Sequence, residues 1–521
     1  MSNTETDWKP SHSPWLVAVS VLIATFMGVL DTSIANVSLP HIAGNLSVSN
    51  SEATWVLTSY LVSSSIILAA SSWLSSYIGR KRFLSLSVLL FIISSALCGM
   101  AQNLTQLIIA RVLQGMGGGG LQPASQAILL ESFPKEKRGQ AMAMFGMGII
   151  VAPIIGPILG GWITENFSWR WIFYINVPIG FVGLFMQELF VEDPPYLEKS
   201  KGKDIDYIGL IVMAVSLGIF QIIMDKGQEE DWFNSLWISW GTFLVTFMFA
   251  FLALWELKEK NPFLNIRILK DRNFLFGTMI ITIQGIILYA TTAILPIFMQ
   301  TLLGYDAFKS GLSMVPRGIG SMFSMIIVGK LVGRISNKIL LIFGFLMILV
   351  STYLLSMFNL DISQSTLILP LFINGFGMGF VFVPLTVITM STLKHNEINQ
   401  ATGLFSLLRN IGGSVGISII FTLQYRYMQL HQTTLVSNIN PFNPAYSQWL
   451  YKASHSPLFF LKNKLAAFAY LSVSKQAVLM SFLDCFRLVA ILAFIAILLV
   501  FMFGAGKIRK KIKESAAALI D

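Results

Sequence analysis

Charge is what this chain has least of. Only 12% of its 521 residues are Asp, Glu, Lys or Arg, while 55% are hydrophobic, far from the balance of an ordinary soluble domain. A water-exposed globule of this size cannot be covered with so few charges, so the composition excludes a soluble enzyme or scaffold. Cysteine is nearly absent as well. Cys98 and Cys485 lie in or beside apolar runs and offer neither a disulfide framework nor a metal-ligand spacing. The five histidines, at positions 12, 41, 395, 431 and 455, are scattered, whereas a membrane-embedded acyl- or glycosyltransferase needs acids, histidines or nucleophiles gathered at one interface. No ring of charges or filter-like carbonyl loop marks a passive channel. The net charge is +10, but the Lys and Arg sit in short loops rather than on one basic face, so no nucleic acid is expected as a partner. Neither a metal nor a cofactor is expected.

What is abundant is apolar sequence. Runs of 18 or more residues recur from Trp15 to Phe503, each long enough to cross roughly 30 Å of hydrocarbon as a helix. The partner they imply is a lipid bilayer. Bounded by charge, Pro and Gly, the runs predict fourteen spans near 15–37, 53–73, 83–101, 104–130, 140–164, 170–190, 205–224, 235–256, 273–299, 310–330, 338–358, 365–391, 400–424 and 478–503. The first has no small-residue cleavage site and is expected to be retained. Of 36 Lys and Arg, 24 fall in one alternate set of loops, eight in the other and four within spans. The positive-inside rule then predicts both termini cytoplasmic. The long connection at about 425–477 is expected as a periplasmic loop, and its apolar stretch Leu458 to Leu471 as a surface for a partner protein or the membrane.

The two ends of the chain repeat at an offset of about 257 residues. Leu39-Pro40 matches Leu295-Pro296, Gly156 matches Gly413, and Ser72-Trp73-Leu74 to Lys81 matches Gly329-Lys330-Leu331 to Lys338. Duplicated six-span halves are a common transporter plan. The expected fold is therefore all-α: a six-helix bundle over 1–200, two inserted helices over 201–262, and a second six-helix bundle over 263–521, flanking a central cavity and working by alternating access.

Four basic residues, Arg111, Arg317, Arg409 and Arg487, lie within spans, where charge is expensive and faces protein or water. Asp31, in Leu30 to Pro40 of the first span, is the matching acid, roughly 13 Å from the outer end, with Arg111 at roughly 10 Å in the fourth span. A desolvated acid at that depth suits a proton carrier, and pairing with Arg111 suits a charge switch between access states. A static polar bridge or ion pair is the other reading. Asn36, Gln114, Arg409, Asn410 and Asp484 are secondary polar candidates, Asp484 and Arg487 being three apart and able to satisfy each other. Gly156, Pro157, Gly160 and Gly161 in the fifth span give a small face and a bend, suited to close packing with or without motion. Gly79 and Arg80, before Lys81, end the second span as an anchor or a conformational element.

Taken together, Leu30 to Pro40, Arg111-Val112-Leu113-Gln114-Gly115, Gly156-Pro157 with Gly160-Gly161, Trp169 to Gly180, Asp225-Lys226-Gly227 with Asp231-Trp232-Phe233, and Arg409 to Gly413 resemble the major facilitator superfamily. Within it they resemble the fourteen-span drug:proton antiporters of the EmrB type. The resemblance implies a proton-coupled exporter of small lipophilic compounds in the bacterial inner membrane, with Asp31 and Arg111 in coupling and the Gly-Pro motif in export. It also implies a periplasmic membrane-fusion adaptor and an outer-membrane channel as partners in a tripartite pump. A narrow-substrate exporter of a siderophore or fatty acid would use the same fold and coupling residues. One departure stands out: the loop after span two has Ser72 and Ser76 where the family pattern has Gly and Asp, which questions the charge lock attributed to that Asp.

Overall fold

A computed structural model describes residues 10–193, 206–259, 262, 264–394, 397–440, 442–454 and 465–504. Among them the ordered structure is helical, with α1 (Pro14–Leu46), α2 (Asn50–Ala53), α3 (Trp55–Ile78), α4 (Arg80–Met100), α5 (Leu104–Ser132), α6 (Arg138–Asn166), α7 (Trp171–Tyr174) and α8 (Asn176–Phe190) in the first half. An insert of α9 (Tyr207–Lys226) and α10 (Leu236–Lys258) follows. The second half holds α11 (Arg272–Leu303), α12 (Ala307–Ser313), α13 (Val315–Leu331), α14 (Asn337–Leu355), α15 (Gln364–Met390), α16 (Ile398–Val436), α17 (Pro444–Ser454) and α18 (Leu465–Val500).

Thirteen of the described helical segments are long and apolar enough to cross a membrane, α7–α8 and α12–α13 each counting as one. The fourteenth is α5, whose Gly117 to Gly120 run and its glutamines dilute its apolar character. From Gly117 to Leu130 it is buried or half-buried against neighbouring helices, so this stretch needs small side chains more than hydrophobic ones. Local signals start several helices. Asn103 accepts from the Gln106 amide at 2.9 Å to begin α5, and Asp271 accepts from the Phe274 amide at 2.9 Å to begin α11.

Helix packing is duplicated. In the first half α1 packs on α6 and α8, α5 on α3 and α4, and α4 on α8; in the second, α11 packs on α16 and α18, α15 on α13 and α14, and α14 on α18. Between the halves α6 faces α13 and α15 while α16 faces α3 and α5, the same relation read in both directions. The halves approach closely where the basic loops lie: a Cβ on Gly139 would stand 2.9 Å from Val332 Cβ, and one on Gly403 would stand 3.2 Å from Ser72 Cβ.

The insert touches both halves. From α9, Lys226 Nζ donates to Thr54 Oγ1 at 2.9 Å and Thr58 donates to Asp225, while Gln221 Nε2 donates to Ser414 Oγ on α16 at 2.6 Å. Trp232 Nε1 adds a bond to Thr422 Oγ1 at 2.9 Å, which gives the Asp225-Lys226 and Asp231-Trp232 segment a bridging role. By contrast α10 is the periphery: only 17% of its apolar window is buried, and Trp240, Phe243 and Phe247 point outward.

The segment expected as a loop over about 425–477 is largely helical. Helix α16 runs to Val436, α17 occupies Pro444–Ser454, and α18 starts at Leu465. The two long helices continue past the apolar runs because polar side chains pair along them, as Gln432 Nε2 does with Tyr470 Oη at 2.7 Å. Of the apolar stretch Leu458 to Leu471, residues 458–464 lie outside the described residues.

Candidate functional site

The deepest polar cluster forms where α1, α4, α5 and α8 converge in the first half. Asp31 is 2% exposed and Arg111 0%. Arg111 Nη1 donates to Asp31 Oδ2 at 2.7 Å and to Gln114 Oε1 at 2.6 Å, and its Nε donates to the Val56 carbonyl at 2.9 Å. The second carboxylate oxygen, Asp31 Oδ1, accepts from Gln114 Nε2 at 2.9 Å and from Asn176 Nδ2 at 2.7 Å. Ser95 Oγ accepts from Gln114 Nε2 at 2.6 Å, and the guanidinium lies over the Tyr60 ring at 4.3 Å. Such a network is what a buried ion pair requires, since burial removes the water that would otherwise satisfy both charges.

Asp31 is therefore not the isolated acid that its place in an apolar run suggests. The two carboxylate oxygens together accept three hydrogen bonds, and protonation would remove the charge that strengthens the one from Arg111. The structure brings together Asp31, Arg111 and Gln114 from the candidate set and adds Asn176, Ser95 and Tyr60. Asn176 carried a legible signal, a lone amide in the apolar run that begins span six. Ser95 and Tyr60 carried none, because such residues are common on helices and only packing selects these two.

The remaining candidates lie elsewhere. Asn36, five residues on from Asp31, is exposed. Arg409, 1% exposed, donates from Nη2 to Gln122 on α5 and stands over the Phe382 ring at 5.7 Å. Asn410, half-buried beside it, uses its carbonyl to accept from Ser414 Oγ at 3.2 Å. Asp484 accepts from Arg487 at 2.7 Å, as its spacing suggests, and also lies 2.7 Å from His431 Nε2, a partner that sequence separation hid.

The Gly-Pro motif packs α6 against α1. A Cβ at Gly156 would strike the Ser33 side chain, and one at Gly160 would stand 3.1 Å from Ile34 Cγ2. Gly161 faces Phe308 of the other half, where an added Cβ would meet its amide at 3.9 Å. Pro157 has no N–H to give the Pro153 carbonyl one turn back. Ser33 Oγ supplies the missing donor at 3.0 Å, so the bend in α6 is satisfied by α1, two residues from Asp31.

At the far end of α3, Gly79 adopts φ of +94°, a left-handed-side conformation that favours glycine, and a Cβ there would strike Asp193. Asp193 Oδ1 accepts from the Lys81 amide at 2.9 Å. Arg80 forms a buried ion pair with Glu131 at the end of α5. Ser76, which stands where the family pattern has Asp, donates its hydroxyl to the Ser72 carbonyl at 2.8 Å. Charge contacts at this end of the first half therefore exist, but they join α4 to α5 through Arg80 and Glu131 and α4 to α8 through Lys81 and Glu188, 3.5 Å apart. Across the membrane, Trp169 and Arg170 tie the other ends together: Trp169 Nε1 donates to Asn45 Oδ1 at 3.1 Å and Arg170 Nη2 to the Ala101 carbonyl at 2.9 Å.

The model of the Major Facilitator Superfamily matches residues 21–417. The chain is 34% identical over 490 residues to the multidrug export protein EmrB of Haemophilus influenzae, covering 94% of this chain and 95% of that one. It is 37% identical over 441 residues to the EmrB of Escherichia coli K12, covering 84% and 85%. The fatty acid resistance protein FarB of Neisseria gonorrhoeae is 37% identical over 428 residues, covering 82% and 84%. Among solved structures, the human organic anion transporter MFSD10 superposes with a TM-score of 0.58 at 12% identity, covering 93% of this chain and 100% of that one. The paired bundles, their inserted helices and these relatives lead to one assignment: the chain belongs to the major facilitator superfamily and, within it, to the multi-pass membrane transporters of the EmrB type.

Proposed function

We propose that the protein is a proton-coupled exporter of hydrophobic and amphipathic small molecules, with Asp31 as proton carrier and Arg111 as the charge that reads its state. It operates in the inner membrane with both termini cytoplasmic, needs no cofactor, and serves a tripartite pump with a periplasmic membrane-fusion adaptor and an outer-membrane channel. The observation that carries the coupling is the Asp31–Arg111 pair, buried at 2% and 0% exposure and joined at 2.7 Å. Protonation of Asp31 leaves Arg111 as an uncompensated buried cation, a state that favours rearrangement of α1 against α5. Helix α5 also carries hydrogen bonds to the other half, from Arg409 to Gln122 and from Ser406 Oγ to Gln126 Oε1 at 3.4 Å. Gln122 lies eleven residues, about three helical turns, beyond Arg111, so one helix joins the proton site to the interface between halves.

The test is proton release from proteoliposomes on addition of lipophilic compounds, for the wild type and Asp31→Asn. Substrate-triggered release that disappears in the variant is the expected outcome; equal release from both proteins moves the carrier elsewhere. A second reading, export of one amphipathic class such as fatty acids, is supported by the similarity to FarB. It predicts release with long-chain acids alone in the same assay.

A further inference from the structure

Small-residue contacts align the two halves residue by residue. A Cβ on Gly117 would meet Phe91 N at 2.7 Å and Ser87 O at 2.8 Å; one on Gly377 would meet Gly344 O at 2.7 Å and Ile348 N at 3.0 Å. Gly115 rests on the Tyr60 carbonyl as Gly375 rests on the Arg317 carbonyl, and Gly156 abuts Ser33 as Gly413 abuts Tyr289. By these contacts Arg317 stands where Tyr60 does, Asn374 where Gln114 does, Leu371 where Arg111 does, and Ile287 where Asp31 does. The second half therefore has its own polar core at the place of the proton site, with the guanidinium moved from one helix to another and the carboxylate gone.

That guanidinium has no counter-charge. Arg317 is 2% exposed and donates from Nη2 to Thr291 Oγ1 at 2.8 Å and from Nη1 to Thr292 Oγ1 at 3.1 Å. Both hydroxyls spend their own protons on carbonyls, Thr291 on Ile287 at 2.7 Å and Thr292 on Leu288 at 2.6 Å, so they act only as neutral acceptors. Among the described residues Arg317 Nε is buried without a partner, and so are both amide atoms of Asn374, itself 0% exposed. No carboxylate lies within ion-pair distance of Arg317 among the described residues, whereas Arg111 has Asp31 at 2.7 Å. Arginine cannot shed its proton to escape this cost, and a desolvated cation held only by neutral acceptors is among the least favourable things a fold buries.

We propose that a monoanion completes this core, bound by Arg317 and Asn374 in the C-terminal bundle. A single negative charge with open acceptor positions matches one guanidinium and one amide donor; a dianion would overcompensate. Chloride and the carboxylate head of an amphipathic acid share that chemistry. The site stands independently of proton coupling at Asp31, because binding in detergent involves no gradient.

The test is the thermal unfolding midpoint of the purified full chain in detergent, at constant ionic strength in sulfate, titrated with chloride and separately with octanoate. At least one anion raises the wild-type midpoint saturably. In Arg317→Gln the apparent affinity falls at least about tenfold, as expected for one lost charge-assisted hydrogen bond, while Arg317→Lys retains part of it. Asn374→Leu, which keeps the charge, gives an independent reduction if Arg317→Gln does not fold. A response to chloride alone identifies an ion bound within the bundle; a response to octanoate alone identifies a head-group subsite for substrate. No saturable shift with either anion, or variants that respond like the wild type, overturns the proposal.

Discussion

The two halves share a skeleton and differ in their polar cores. In the N-terminal half a guanidinium on α5 meets a carboxylate on α1, with Gln114 and Asn176 completing the set. In the C-terminal half the corresponding α11 position is Ile287, the α15 position is Leu371, and the guanidinium of Arg317 rises from α13 onto two threonine hydroxyls. The bend motif differs too: Pro157 frees a carbonyl that Ser33 takes, whereas its counterpart by the repeat is Ser414, which bonds within its own helix. Duplication preserved the close backbone contacts, where any side chain would collide, and left the polar positions free to diverge. One half carries a titratable charge pair and the other a fixed cation.

The largest expected effect is at the titratable pair. Asp31→Asn keeps the acceptor and the shape but removes the charge, and proton-coupled transport should fall at least about a hundredfold, roughly 3 kcal/mol of coupling, as measured by substrate-driven proton release in proteoliposomes. Retained coupling would erase the contrast between the halves. Next is Ile287→Asp, which restores a carboxylate one turn from Thr291, the acceptor of the Arg317 bond. This variant should be more stable in the wild-type background than in Arg317→Leu by about 2 kcal/mol, read from the four melting temperatures of a double-mutant cycle. Equal destabilisation in both backgrounds would separate Ile287 from Arg317 and break the correspondence with Asp31 and Arg111. Gly117→Ala and Gly377→Ala should each cost about 1–3 kcal/mol and by similar amounts, because both would press a methyl group onto backbone atoms; a large difference in thermal stability would mean that the skeletons are less alike than their contacts. The smallest effect is Ser33→Ala, about 1 kcal/mol from leaving the Pro153 carbonyl without its donor, measurable as a shift in melting temperature.

Much of the Asp31–Arg111 pair was legible in the sequence. Asp31 and Arg111 are charges inside apolar runs, and the cost of burying charge makes such residues conspicuous in a linear sequence. Gln114 was legible as a secondary polar candidate within the segment Arg111-Val112-Leu113-Gln114-Gly115, and the structure joins it to Arg111 at 2.6 Å. Asn176, Ser95 and Tyr60 were not assembled, since a neutral polar side chain costs little to place on a helix and only the meeting of α3, α4, α5 and α8 with α1 selects these three. The Arg80–Glu131 pair escaped notice for a related reason: its partners lie on different helices, and the sequence pattern drew attention to Ser76 instead. The expected loop over about 425–477 shows a third limit, because apolar runs mark where lipid ends and not where a helix does.

The chain by itself determined that it must live in a bilayer, that it is built of many apolar helices, and that its halves repeat. Those properties follow from the local cost of exposing apolar surface and burying charge, which every segment carries with it. Only the tertiary structure decided which buried charges meet. The N-terminal and C-terminal cores each contain arginines in apolar helices, and the chain alone does not show that Arg111 is met by a carboxylate 80 residues away while Arg317 is held by neutral hydroxyls. Electrostatic pairing depends on distance in space, and distance in space is set by how the helices pack.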